Sequence, residues 1–194
     1  MNRRALLASL AFALTMPAIA QAETSPARCG TASRKFELPL AAGSGPASLN
    51  VTARRQGGLV APLPTVDEIM TPVIEKGHER AGIEFYIVAQ ETPAPPPELD
   101  LEAILVLWTS LEGAAAVKRT GGIAVLQDGG TRWTIAVSHD DDNQDDLVKR
   151  VALEISRLRA EGGPDLLDLL PTEAALPAGW LLAAERVTPE PCER

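Results

Sequence analysis

Apolar and polar positions along the chain change period several times, and each change marks an element. Phe36-Glu37-Leu38-Pro39-Leu40 and Leu49-Asn50-Val51-Thr52-Ala53 both alternate with period two, and the Gly- and Pro-containing stretch 41–47 separates them. That pattern predicts an N-terminal β-hairpin with a loose loop, and Pro39 places its first strand at a sheet edge. After Gly57-Gly58, Pro62 and Pro64 the period becomes helical: Ile69, Val73, Gly77 and Ala81 recur every four residues behind a Thr65-x-x-Glu68 capping box. Pro72 either kinks this helix or restarts it, and Gly82 ends it.

Alternation returns over Ile83–Gln90, a strand, followed by a stiff loop at 92–98 with Pro at 93, 95, 96 and 97. Leu101 to Val117 carries Ile104, Leu105, Leu107, Trp108 and Leu111 on more than one helical face, so it is read as a well-buried helix capped by Asp100. Gly121-Gly122 is read as a turn before the strand Ile123–Gln127. Asp128-Gly129-Gly130 then links that strand to Arg132–Ser138 as a second hairpin. Leu147, Val151, Ile155 and Leu158 predict a closing helix that stops at Gly162-Gly163-Pro164. Trp180–Val187 fits either a last strand beside the N-terminal one or a short helix.

The expected fold is α/β: a single domain with a mixed β-sheet flanked by about three helices and an N-terminal β-hairpin. The expected organisation is a signal peptide at 1–22, an N-terminal extension at 23–63, an α/β core at 64–162 and a C-terminal tail at 163–194. Residues 1–22 have the parts of a secretory signal: Arg3-Arg4, the apolar stretch Ala5–Ile19 and an Ala20-Gln21-Ala22 cleavage site. Sec and twin-Arg export both fit. The expected location is periplasmic or secreted, with no stable membrane insertion once the signal is cleaved.

Charge then narrows the partners. The chain of 194 residues has 18 Lys plus Arg and 26 Asp plus Glu, a net charge of −8. Cleavage removes Arg3 and Arg4 and no acid, leaving 16 against 26, or −10. That is the wrong sign for nucleic acid or an anionic membrane. With aromatics at 4% there are also few rings on which bases could stack. The two cysteines, Cys29 and Cys192, form neither a C-x-x-C nor a metal quartet, so one disulfide tying the two ends of the domain is expected.

Candidate chemistry is sparse. Asp140-Asp141-Asp142-Asn143-Gln144-Asp145-Asp146 places five carboxylates in seven residues, and Asp140, Asp142 and Asp146 could hold Ca²⁺ or Mg²⁺. The spacing is not that of an EF-hand, and acidic residues ahead of a helix also complement its dipole without any metal. Ser138-His139-Asp140 is not a catalytic triad, because neighbours on a strand point to opposite faces. No H-E-x-x-H, G-x-S-x-G, P-loop, G-x-G-x-x-G or C-x-x-C-H motif occurs. No catalytic residue is assigned, and no cofactor is expected beyond a cation.

Over residues 64–162 the succession of a helix ending in Ala81-Gly82, IEFYIVAQ, a helix, TGGIAVLQD, RWTIAVSH and a closing helix resembles TPM domains, a family that includes thylakoid-lumen phosphatase-like proteins and bacterial exported domains. The family's Asn-Gly-Val-Leu-Leu-Leu-Val strand corresponds to Gly121–Gln127, without the Asn. Its glycine-containing segment falls at Ser138–Asp142, where no Gly occurs. The resemblance implies a divalent-metal-dependent phosphatase-like hydrolase. The residues themselves point instead to a non-enzymatic exported domain that binds an envelope protein or supports an envelope assembly.

Overall fold

The computed structural model describes residues 29–39, 47–58, 61–139, 144–163 and 165–192. Seven strands form one sheet: β1 (Gly30–Leu38), β2 (Ala47–Arg55), β3 (Phe85–Glu91), β4 (Glu102–Glu112), β5 (Val117–Asp128), β6 (Thr131–His139) and β7 (Leu181–Pro189). Their order across the sheet is β3-β4-β5-β6-β2-β1-β7. Two α-helices, α1 (Val66–Ala81) and α2 (Gln144–Glu161), and three short 3-10 segments complete the described chain. The α/β class and the single sheet are as expected.

One element is corrected. Leu101–Val117 is not a helix capped by Asp100; most of it is the strand β4, which pairs with β3 and β5. A strand covered on both sides reads as a continuous apolar run, and periodicity cannot separate it from a buried helix. Leu105 belongs to the main core with α2, whereas its neighbour Val106 packs with Ile69 and Met70 of α1. All the pairings between described strands are antiparallel, rather than mixed. Replacing the expected helix by a strand removes a crossover of the kind that a parallel pair requires.

Two smaller expectations also change. Gly121 and Gly122 lie inside β5 instead of in a turn before it. A Cβ on Gly121 would overlap the Trp108 indole, and one on Gly122 would crowd Leu107 and Val148, so both glycines admit close packing across the strand. Pro39 follows β1, and β1 is an interior strand flanked by β2 and β7. The hairpin of segment 23–63 and the last strand of segment 163–194 share their sheet with residues 64–162.

The other elements follow the pattern. Thr65 and Glu68 form the reciprocal capping box: the Thr65 hydroxyl accepts from the Glu68 N–H, and the Glu68 carboxylate accepts from the Thr65 N–H at 2.7 Å. Leu147, Val151 and Ile155 are buried against the sheet, and Gly162 terminates α2 with φ of 72°. The segment before β7 is held from the core: the buried Trp133 Nε1–H donates to the Leu169 carbonyl at 3.2 Å, and Arg34 donates to the carbonyls of Leu170 and Pro171. Cys29 and Cys192 form the expected disulfide across a sequence separation of 163, beside the β1/β7 pair.

Candidate functional site: a cleft between helix α1 and the sheet

The two faces of the sheet are dressed differently. On one face α2 and the segment 165–180 cover the strands with buried aliphatic residues. On the other, α1 covers only the β4/β5 side, and the adjoining face of β2 and β6 carries Ser48, Asn50, Thr134, Ala136 and Ser138, none of them fully buried. This difference is encoded in the alternation of β2 and β6, where Leu49, Val51, Ile135 and Val137 point to the core and the short polar residues between them point away.

Where the cover of α1 ends, a cleft of about 460 Å³ opens. Its apolar floor includes Val73, Phe85, Trp108, Ile123 and Ala136, and Ser48, Asn50 and Ser138 form the polar flank. Lys76, Arg80, Arg119 and Glu112 are the charged residues of the described lining. Phe85 fits beneath α1 because position 77 is glycine, whose missing Cβ leaves room for the ring. His78, on the same helix, contacts that ring edge-on at 5.4 Å and places Nδ1 2.8 Å from the Gly82 carbonyl.

Glu112 is the only carboxylate in the lining among the described residues, and it is held on both sides. Arg80 Nη2 lies 2.5 Å from one of its oxygens and Arg119 Nε 3.0 Å from the other. Its side chain is only 10% exposed, whereas those of Arg80 and Arg119 are 60% and 44% exposed. Among the described residues the lining carries three cations and one carboxylate. Both carboxylate oxygens are thus taken up by arginines, and no hydrogen bond joins Glu112 to a serine of the lining among the described residues.

The residues proposed for a metal are placed only in part. Asp140 and Asp142 lie outside the described residues. Asp146 is exposed in the first turn of α2. Its neighbour Asp145 pairs with Lys149 at 2.5 Å through one oxygen, while the other oxygen is buried without a hydrogen-bond partner. No group of three or more His, Cys, Asp or Glu residues among the described residues is arranged to hold a metal ion. Sequence reasoning missed the cleft. The available signal was the short polar residues that alternate through β2 and β6 opposite their core positions.

No family model matches the sequence, and no curated protein matches it. Among solved structures the chain is similar to PA94 from Pseudomonas aeruginosa, a protein of unknown function, at 10% identity and a TM-score of 0.35, covering 66% of this chain and 78% of that one. A likeness at that level carries no argument about function.

Proposed function

We propose that this chain is an exported domain that works by binding, with the cleft beside α1 as its recognition site. The observation that carries this reading is the lining: an apolar floor and hydrogen-bonding flank for contact, and a carboxylate held between two arginines. Export rests on the signal-like residues 1–22, and the disulfide suits an oxidising compartment. No helix among the described residues is long and apolar enough to cross a membrane. The test is capture from an envelope extract by the wild-type protein and by Asn50→Trp, which fills the cleft from its flank. A reproducible captured species that the variant loses supports the reading; equal capture by both, or none by either, overturns it.

A second reading, a divalent-metal-dependent hydrolase of TPM type, draws on the unpartnered Asp145 oxygen beside the acidic run. Thermal melts with and without Ca²⁺ or Mg²⁺ test it. A bound ion at about 100 times its dissociation constant adds about 2.7 kcal/mol of stability. An unchanged melt in both ions, together with no phosphate release from an aryl phosphate, removes this reading.

A further inference from the structure

We infer that β7 is a redox-released strap: the Cys29–Cys192 bond, rather than packing, holds it on β1, and reduction undocks it while the rest of the sheet stays folded. Every residue of β7 is exposed, as are Pro191 and Cys192, and no residue beyond Trp180 joins a core. By contrast β1, β2, β4, β5 and β6 each contribute buried residues to a core. Beyond the buried Trp180, the strap is attached by its ladder to β1 and by the Glu173 carboxylate, which accepts from the Leu182 N–H. Arg34 pairs with Glu185 at 2.7 Å, and Glu190 accepts from Thr31 at 3.3 Å and from Arg54 at 3.4 Å. Ion pairs open to solvent contribute little, and strand pairing without buried side chains is marginal. Even where the strands come closest the contact is backbone on backbone: a Cβ on Gly30 would lie 2.5 Å from the Thr188 carbonyl oxygen. Arg34 also donates to the Leu170 and Pro171 carbonyls, so it keeps its place when Glu185 leaves. The covalent bond compensates by keeping the tip of the strap beside Cys29 at a high effective concentration.

Cys29 is buried and Cys192 exposed, so an incoming thiolate approaches from the Cys192 side. With a dithiol as reductant, one thiolate bonds to Cys192 Sγ as the protein S–S bond breaks and Cys29 leaves as a thiolate. The second thiol of the reductant then displaces Cys192 and closes the reductant's own disulfide. Two electrons pass from the dithiol to the protein, and its two protons end on Cys29 and Cys192. The strap is then joined covalently only through Trp180, and the outer row of backbone N–H and C=O groups on β1 opens.

The test is hydrogen–deuterium exchange on the folded protein, oxidised and then reduced with dithiothreitol, and on a Cys29→Ser, Cys192→Ser double variant. In the oxidised protein the amides of β7 that bond to β1 are expected to exchange slowly. After reduction, exchange across residues 181–192 should rise at least about ten-fold more than across β5 and β6, and reoxidation should restore it. The double variant should match the reduced protein without any reductant; if it does not fold, the reduced wild type carries the test alone. Trypsin gives an independent reading, because the strap contains Arg186: reduction should speed cleavage there while the bond after Arg132 in β6 stays resistant. Protection of β7 that matches β6 after reduction, or loss of protection in all strands together, overturns the inference.

Discussion

At the scale of single residues, the structure turns on positions where a side chain is missing or a cap is made. Gly77→Ala would ordinarily stabilise a helix by about 1 kcal/mol. Here the added methyl meets the buried Phe85 ring, so the variant is expected to lose about 1–3 kcal/mol in urea denaturation. The Thr65–Glu68 box gives a second test: Thr65→Ala should cost about 1 kcal/mol. The Thr65 backbone N–H, and then its hydroxyl, hold the Glu68 carboxyl below the ordinary range. A lowered carboxylate contributes stability above its unfolded pKa and loses it as pH falls through the folded one. The stability difference between wild type and Glu68→Gln should therefore be full at neutral pH and shrink below about pH 4, as read by denaturation at a series of pH values. The capping box was legible because its chemistry is local, and the role of Gly77 was not, because Phe85 reaches it only through the fold.

At the scale of elements, legibility followed how many faces each element buries. The N-terminal hairpin, β6, α1 and α2 each bury one face and show it as a clean period. β4 buries both, and Ile104-Leu105-Val106-Leu107-Trp108 leaves no polar phase by which to distinguish strand from helix. The alternation of burial partners predicts that Leu105→Ala and Val106→Ala are both destabilising although they point to opposite sides. Leu105→Ala should cost about 2–5 kcal/mol, measured by chemical denaturation. The cleft depends on an element too. It exists because α1 covers β4 and β5 and stops short of β6 and β2, a matter of helix placement that no single segment encodes.

For the whole molecule, the two ends of the described residues meet. β1 carries β7 on its outer side, and Cys29–Cys192 closes that arrangement. The cysteine count alone pointed to this bond, since two thiols in an oxidising compartment would have only each other. Reduction, or a Cys29→Ser, Cys192→Ser pair, is expected to cost about 2–5 kcal/mol with the fold otherwise retained, checked by denaturation and circular dichroism. The account's central claim is that recognition occurs at the cleft beside α1, and photo-crosslinking in cells expressing the protein tests it most directly. A small diazirine residue is placed at Asn50 in the cleft, at Tyr86 on β3 or at Ala183 on β7. The account predicts a discrete adduct from position 50 that is absent at 86 and 183; adducts at 86 or 183 with none at 50 would contradict it.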